Sequence, residues 1–359
     1  MRIALIIYGS LERLTGGFLY DRYLAAALRR RGHRVEVVGL PWRPYPLCLA
    51  ENIAPALKRR LSSGAWDLLL QDELTHPSLA LMNRRLKGTT GRPIAAIVHQ
   101  VLCRQPRRAG WNLLLRAVEA AYLETVDALI FNSAATRRDA FSLVRKRRTH
   151  CVVRPSGSRL GRLPTPDAIA ARPSGSGPLE LLFVGNISPV KGLEPLIRAL
   201  APIPPSGWRL WVAGDTRVDP GCMRRVARQI DRLNLSGAVR FLGRLETDAL
   251  RDLFQSCHLF VMPFAHEGFG IAALEAMGFG LPVMGSTSGG VGEFVRHAEN
   301  GWLVAPGDLA AVGRHIHALL TTPGLLEQMG RSAYATHRAW PTWEESMEKA
   351  CLFLESVAG

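Results

Sequence analysis

The sequence predicts an α/β protein of two domains, each a doubly wound parallel sheet with helices on both faces. The chain has 359 residues, too many for one ordinary hydrophobic core. Short continuous apolar runs, typical of buried parallel strands, alternate with helical segments. The stretch 162–178 is rich in proline, glycine and serine, as an interdomain linker would be. We therefore expect one domain over 1–165, a second over 166–340 and a last helix within 341–359.

The first half opens with a strand, a glycine turn and a helix. Arg2–Tyr8 is a continuous apolar strand, Gly16 and Gly17 follow it, and a helix is predicted over 20–31. Glycines at such a turn let the backbone approach a phosphate, although the dinucleotide fingerprint is absent and an ordinary turn fits equally well. Further strands are predicted over 35–40, 66–71, 93–98 and 128–131. His99 follows one of them, at the carboxyl edge where open α/β sheets bind ligands, although a lone histidine there is more often structural.

The second half contains the segment that we expect to form the centre of the site. An apolar strand over 259–263 leads into a glycine loop, and strong helix formers follow over 271–277. Glu267 and Glu275 lie 275 − 267 = 8 positions apart across this loop. The start of a helix favours an anion such as phosphate, and carboxylates can accept hydrogen bonds from sugar hydroxyls. A nucleotide-sugar has both parts, whereas a surface helix with solvated glutamates is the alternative interpretation.

Residues 266–283, HEGFGIAALEAMGFGLPV, resemble the E-x7-E signature of family-4 glycosyltransferases. That family has the GT-B fold of two facing, Rossmann-like, doubly wound domains. The resemblance implies that Glu267 faces the transferred sugar and that Glu275 binds the nucleotide ribose. It also implies that the backbone of Gly268, Phe269 and Gly270 binds the diphosphate. The resemblance covers most of 185–343, and the first half only in fold pattern and scattered motifs.

One loop departs from the family's pattern. Residues 185–192, GNISPVKG, are similar to a family loop in which an arginine follows the first glycine and a lysine precedes the last. Lys191 is retained, but Asn186 stands at the arginine position. An asparagine donates hydrogen bonds but cannot neutralise a phosphate or bind it bidentately, so one of two expected cations is missing. Arg244 stands at the family's position for contacts to the nucleotide base.

The resemblance also implies roles near the two ends of the chain. Gly16 and Gly17 would approach the donor's phosphates from the opposite domain, and His99 would lie near the reacting carbon of the sugar. The last helix would cross back onto the first domain, with Trp340 and Trp343 as its anchors.

Positive charge is concentrated in the first half. Residues 1–170 contain 28 Lys/Arg and 12 Asp/Glu, a charge of +16, while the whole chain carries +15. Basic clusters lie at 29–31, 58–60, 84–87 and 145–148, and Arg104, Arg107 and Arg108 precede Trp111 and the apolar run 113–115. This pattern suits a helix on an anionic bilayer, where the first domain would collect a lipid-linked acceptor. Simple solubility is the alternative, and nucleic acid is not expected because no known binding module accompanies the charge.

Composition excludes several other classes. No apolar run is long enough to span a bilayer. The six cysteines are scattered without metal-ligand spacing, as expected of a cytoplasmic protein that at most associates peripherally with the membrane. No Asp-x-Asp motif is evident, so we expect no metal at the site and a metal-independent reaction. The donor would be a substrate, and no separate cofactor is expected.

We therefore expect a retaining glycosyltransferase that moves a hexose from a nucleotide-diphosphate sugar to an acceptor held by the basic first domain. Retention is implied by the resemblance. Same-face attack, assisted by the leaving diphosphate, is favoured because no second carboxylate is available as a nucleophile. Two other classes remain open. A non-hydrolysing nucleotide-sugar epimerase would need further acid/base carboxylates, and a carbohydrate- or lipid-binding protein with a decayed site would explain Asn186 but not the two retained glutamates.

Overall fold

The structure is a computed structural model that describes residues 1–13, 15–105, 109–170 and 177–359. It divides into two compact units: Met1–Pro155 together with Pro341–Gly359, and Ser156–Trp340. The predicted boundary at 165/166 therefore lies later than the division in the structure. Arg107 and Arg108, which belong to the predicted membrane-binding surface, and part of the predicted linker lie outside the described residues.

The first unit contains a six-stranded parallel sheet within its described part. Its strands are β1 (Arg2–Tyr8), β2 (Arg34–Leu40), β3 (Leu68–Asp72), β4 (Ile94–Val98), β5 (Ala128–Phe131) and β6 (Thr149–Val152). Its helices are α1 (Gly16–Arg30), α2 (Tyr45–Ala50), α3 (Pro55–Ser63), α4 (His76–Leu79), α5 (Met82–Thr90), α6 (Ala109–Leu123), α7 (Ala134–Phe141) and α15 (Trp343–Ala358). The strand order is β2-β1-β3-β4-β5-β6, so the order reverses between β1 and β3. Strands β3 and β4 are buried along their whole length, which is typical of parallel strands covered on both faces.

The second unit repeats this architecture with a different strand order. Its strands are β7 (Leu179–Val184), β8 (Trp208–Ala213), β9 (Val239–Gly243), β10 (Leu259–Met262), β11 (Val283–Ser286) and β12 (Gly301–Val304). Its helices are α8 (Pro166–Ala170), α9 (Leu193–Leu200), α10 (Pro220–Arg232), α11 (Thr247–Ser256), α12 (Ile271–Gly278), α13 (Leu309–Thr321) and α14 (Leu325–Arg338). The order β12-β11-β10-β7-β8-β9 is that of dinucleotide-binding folds, with the switch point between β7 and β10. The prediction of two doubly wound α/β domains is confirmed.

Helix α1 begins four residues earlier than predicted, at Gly16 instead of position 20. Thr15 is its N-cap and accepts a hydrogen bond from the Phe18 N–H, so the chain turns into the helix there. Gly16 and Gly17 therefore form the first helical turn and not a loop before it. Glycine is a poor helix former, and propensity alone placed the start too late.

The described part of the predicted linker contains a docked helix. Helix α8 lies in the second unit, where Ile169 is 5% exposed. A Cβ atom on Gly280 would lie 2.6 Å from the Ile169 side chain, so the two segments are in close contact. The Tyr334 hydroxyl also donates to the Pro164 carbonyl at 3.1 Å. Proline and glycine content indicated a linker here, whereas a buried isoleucine and a hydrogen bond to Tyr334 attach the described part of this segment to the second unit.

Helix α15 belongs to the first unit. It begins with a capping box of Thr342 and Glu345. Trp343 stacks on Tyr23 of α1, with ring centroids 4.2 Å apart. The Arg31 guanidinium binds the Glu355 carboxylate bidentately at 2.9 and 2.8 Å, which holds the other end of α15. No helix in the described ranges combines the length and apolarity required to cross a bilayer.

Candidate functional site

The loops that follow β7 and β10 meet at the switch point of the second unit. The backbone N–H of His266 donates a hydrogen bond to the Val190 carbonyl at 3.0 Å, which connects the two loops. Lys191, after β7, forms an ion pair with the carboxylate of Glu267, after β10. Their side chains are 29% and 21% exposed, so the pair faces an accessible region. Two predicted site residues, 76 positions apart, therefore lie together where open α/β sheets bind ligands.

A second glycine loop supports the backbone of Glu267. Gly289 has φ = +103°, and a Cβ atom there would lie 2.0 Å from the Glu267 carbonyl oxygen. The Gly290 N–H donates to the same carbonyl at 3.0 Å. Gly270, the N-cap of α12, has φ = +97°, a left-handed conformation that favours glycine. Gly289 and Gly270 are thus favoured by close approach and by backbone conformation.

The Phe269 side chain belongs to the hydrophobic core of the second unit. It is 2% exposed, and its ring packs against Phe294 and Trp340 with centroids 5.3 and 5.8 Å away. The Phe269 side chain is therefore not available to a ligand, and the predicted binding of a diphosphate by the backbone of Gly268, Phe269 and Gly270 stays a prediction. Helix α12 has no acidic residue in its first turn, which leaves the positive end of its dipole uncompensated by a side chain there. Trp340, predicted as an anchor for the last helix, packs in the second unit instead.

Glu275 is buried and paired with a residue that the sequence analysis missed. Its side chain is 1% exposed, and its two oxygens accept hydrogen bonds from Arg159 Nε at 2.7 Å and Nη2 at 3.0 Å. The Arg159 side chain is 26% exposed. The two residues lie 116 positions apart, and Arg159 precedes the predicted linker, so no local pattern pointed to it. A ribose would have to share this carboxylate with the guanidinium.

Asn186 connects the loops after β7 and β8. Its Oδ1 accepts a hydrogen bond from the Asp215 N–H at 3.2 Å. Hydrogen bonds from Arg217 hold the pKa of the Asp215 carboxyl below its usual value, and the charge of Arg244 adds to this effect. Arg244 is exposed. Two arginines therefore lie near the position where the asparagine replaces the expected cation, and Arg217 was not predicted.

His99 in the first unit has a buried carboxylate partner. Its Nε2 lies 3.0 Å from Oδ1 of Asp21, which stands on α1 and is fully buried. A Cβ atom on Gly17 would lie 3.0 Å from His99 Cδ2, so the glycine leaves room for the imidazole. Two predicted residues thus meet, while Asp21 was missed because a lone aspartate within a helix carries no distinctive pattern. The Asn132 side-chain amide donates to the His99 carbonyl at 2.7 Å and fixes its backbone.

The charge state of His99 is set by its neighbours. Burial alone would lower the pKa of His99, but the carboxyls of Asp21, Asp72 and Glu73 outweigh it and raise the pKa to about 9. Burial also raises the pKa of Asp72 to about 7 and that of Glu73 to about 8. His99 is therefore protonated at neutral pH and can donate a hydrogen bond or offset negative charge.

Two buried trios in the first unit have the composition of metal ligands. Among the described residues, each trio places one ligand atom per side chain within 4.8 Å of the others, and the trios are Asp21, Asp72 and His99, and Glu73, His76 and Glu119. The predicted donor-site residues of the second unit, Lys191, Glu267 and Glu275, belong to neither trio.

Residues 166–336 match the family Glycosyl transferases group 1. Glycogen synthase of Mycobacterium tuberculosis is 29% identical over 272 residues, which cover 72% of this chain and 61% of that protein. The chain therefore spans about three fifths of the length of this curated relative. The matched range lies within the second unit.

Solved structures show the same fold over nearly the whole chain. Sucrose-phosphate synthase of Thermosynechococcus elongatus is 22% identical with a TM-score of 0.82, over 99% of this chain and 98% of that one. HepE of Anabaena, solved in complex with UDP-glucose, is 21% identical with a TM-score of 0.79, over 99% and 100% of the two chains. The two units therefore have the GT-B fold of two Rossmann-like domains.

Proposed function

We propose that the chain is a retaining glycosyltransferase that moves a hexose from a nucleotide-diphosphate sugar to an acceptor. The observation that carries the proposal is the Lys191–Glu267 pair at the switch point of a group 1 glycosyltransferase domain, beside the start of α12. An ammonium group, helix-start N–H groups and a carboxylate suit a ligand with a diphosphate and a sugar. HepE, with the same fold, was solved with UDP-glucose, which supports a donor of this class.

Most of the predicted donor-site residues have a role in this proposal. Glu267 accepts hydrogen bonds from hydroxyls of the transferred sugar, and Glu275 accepts those of the ribose. Lys191 and the backbone of 268–270 bind the diphosphate, while Arg244 contacts the base. Charge on the leaving diphosphate is neutralised by Lys191 and by the dipole of α12, and this requires no metal ion. Activity that is lost in EDTA and restored by manganese would contradict the metal-independent reaction.

The proposed reaction proceeds on one face of the sugar. The bond from the anomeric carbon to the diphosphate oxygen breaks, and the acceptor oxygen forms a bond on the same face. The acceptor's proton passes to the leaving diphosphate oxygen. His99 is protonated at neutral pH, and we assign it a hydrogen bond to the sugar near the reacting carbon. Gly17 supports this role by leaving space for the imidazole at the start of α1.

For the acceptor, we propose a lipid-linked or cell-envelope molecule reached at an anionic membrane surface. Several large apolar side chains of the first unit are exposed, among them Leu47 at 54%, Ile53 at 63% and Leu113 at 69%. Leu113 and Leu114 stand on α6, and the basic residues that the sequence analysis singled out precede this helix in the sequence. Exposed leucines beside arginines are typical of helices that lie in a bilayer interface. Each basic residue near such a surface contributes about 1 kcal/mol.

Liposome sedimentation tests the membrane proposal. Replacing Leu113 and Leu114 by serine should reduce binding to phosphatidylglycerol vesicles. Added salt should weaken the binding of the wild-type protein to the same vesicles. Leu352→Ser is a matched control, because Leu352 is also helical, lies in the first unit and is 52% exposed. Equal binding by the control and the double variant, or no binding at low salt, would point to a soluble acceptor.

A panel of nucleotide-sugars tests the transfer proposal against the two alternatives. Donor consumption with release of a nucleoside diphosphate supports a transferase, and the anomeric proton of the product reports retention by NMR. Conversion of the donor to an epimer would show a nucleotide-sugar epimerase. Absence of both binding and turnover for every donor would indicate a binding protein with a decayed site.

A further inference from the structure

Asp21 is a fully buried carboxylate on α1 to which the proposed transfer gives no role. Its Oδ1 lies 3.0 Å from Nε2 of His99, whereas its Oδ2 is buried and has no hydrogen-bond partner among the described residues. A buried charged group that is only partly satisfied is costly. Well-packed apolar side chains of similar size are often at least as stable as a buried ion pair. The pair of Asp21 and His99 therefore calls for a reason other than stability.

Two further carboxyl groups act on His99 from the end of β3. Asp72 is the last residue of this strand and Glu73 follows it, and they are 1% and 2% exposed. One nitrogen or oxygen atom from each of Asp21, Asp72 and His99 lies within 4.8 Å of the others. The ring of Tyr20, also on α1, meets the imidazole edge to face with centroids 5.3 Å apart. Among the described residues Asp21 has no lysine or arginine partner, so the imidazolium of His99 is the positive charge that offsets its carboxylate.

The contacts of His99 fix its ring and leave one ring nitrogen available. Nε2 is bound by Asp21, and the Asn132 amide donates to the His99 carbonyl at 2.7 Å. Nδ1 has no hydrogen-bond partner among the described residues, and it is not one of their buried polar atoms that lack a partner, so solvent reaches it. His99 follows β4 at the carboxyl edge of the sheet, where open α/β sheets bind ligands. Nδ1 is therefore the atom that a ligand can contact.

We propose that Asp21 is a positioning residue for the transfer, holding His99 as an imidazolium whose Nδ1–H donates to a hydroxyl oxygen of the transferred sugar. The inference rests on the proposed function, because it adds a residue to that reaction. A hydrogen bond at one ring nitrogen of a histidine determines what the other nitrogen can do. A charged donor makes a shorter and stronger hydrogen bond than a neutral one, so it holds the sugar in a defined position. Asp21 touches no reacting atom and acts only through His99.

Histidine titration by NMR tests the pair without using activity. In protein with isotope-labelled histidine, assigned by the signal missing from His99→Gln, the His99 ring should stay protonated up to about pH 9. Asp21→Asn should lower the titration midpoint of His99 by about one to three units. Asn83→Ala should leave it unchanged. Asn83 is a matched control because it is also fully buried in the first unit, but it bonds to Gln71 and Thr125. The same midpoint in the wild type and in Asp21→Asn would overturn the proposal.

Steady-state kinetics with a nucleotide-sugar test the positioning role. Asp21→Asn should lower kcat about tenfold or more and change the KM for the donor less. Because the imidazolium is the required form, activity should be lost at a lower pH in Asp21→Asn than in the wild type. Asn83→Ala should keep the pH profile of the wild type. Asp21→Glu, which keeps a carboxylate, should recover part of kcat.

The two measurements separate failure of this inference from failure of the proposed function. A lowered titration midpoint with an unchanged pH profile of turnover would overturn the positioning role alone. A wild type that turns over no nucleotide-sugar would refute the proposed function and the positioning role with it, while the titration would still report the pair. Asp21→Glu covers the case in which Asp21→Asn fails to fold. It displaces the carboxylate, so its kcat should be reduced and its titration midpoint shifted, and a wild-type value of both would overturn the proposal.

Discussion

Replacing Arg159 by methionine would leave the Glu275 carboxylate buried without its bidentate partner. Glu275 is 1% exposed, and the two bonds measure 2.7 and 3.0 Å. Removing one member of a buried ion pair costs about 3–5 kcal/mol. Because the Arg159 side chain is 26% exposed, we expect the lower end of this range, about 3 kcal/mol. Glu275→Gln should also lower stability, because it removes the negative charge that pairs with Arg159.

Urea unfolding of Arg159→Met and of a matched variant measures this effect. Arg331→Met removes an exposed pair with Glu327 on α14, in the same unit, where the side chains are 63% and 41% exposed. An exposed pair of this kind contributes about 0.5 kcal/mol. A double-mutant cycle of Arg159→Met with Glu275→Gln should give a substantial coupling energy, because the two changes remove the same interaction.

Nucleoside diphosphate binding adds a second measurement. Arg159→Met leaves an uncompensated carboxylate beside the proposed diphosphate site, so calorimetry should show weaker binding. Arg159→Lys keeps the charge but not the bidentate geometry. Its nucleoside diphosphate affinity should therefore lie between that of the wild type and that of Arg159→Met. The reasoning fails if Arg159→Met is no less stable than Arg331→Met, or if the cycle shows no coupling.

Glu267→Gln should reduce turnover more than nucleoside diphosphate affinity, because the carboxylate faces the transferred sugar. A lost charged hydrogen bond costs about 1.5–3 kcal/mol, and equal losses in rate and calorimetric affinity would contradict this role. Asn186→Arg should tighten nucleoside diphosphate binding, since a guanidinium binds phosphate bidentately; unchanged affinity in a folded variant would show that the existing cations suffice. The stability contributed by protonated His99 should be complete below pH 6.5 and lost as the pH rises through about 9, because its pKa is raised on folding. Asp21→Asn should weaken this part of the pH dependence of the melting temperature, and an unchanged profile would refute the pairing.

The sequence by itself determined the fold class and the centre of the candidate site. Alternating apolar strands and helices predicted two doubly wound domains, because strand burial and helix formation leave local patterns. The loop 267–270 was predicted from glycines next to a strand and a helix. The structure explains two glycines of the site: Gly270 has a positive φ, and a side chain on Gly289, in the second glycine loop, would meet the Glu267 backbone. The strands, the loop 267–270 and the helix after it could be predicted because they depend on residues that are close together in the sequence.

Only the tertiary structure decided which side chains pair. The partners of Glu275 and His99, Arg159 and Asp21, lie 116 and 78 positions away, and the ion pair of Lys191 with Glu267 was not predicted. Strand order brings such loops together, and a sequence gives strands without their order. Whether a carboxylate is solvated or buried against a guanidinium depends on that order, because burial and charge pairing are properties of the packed chain.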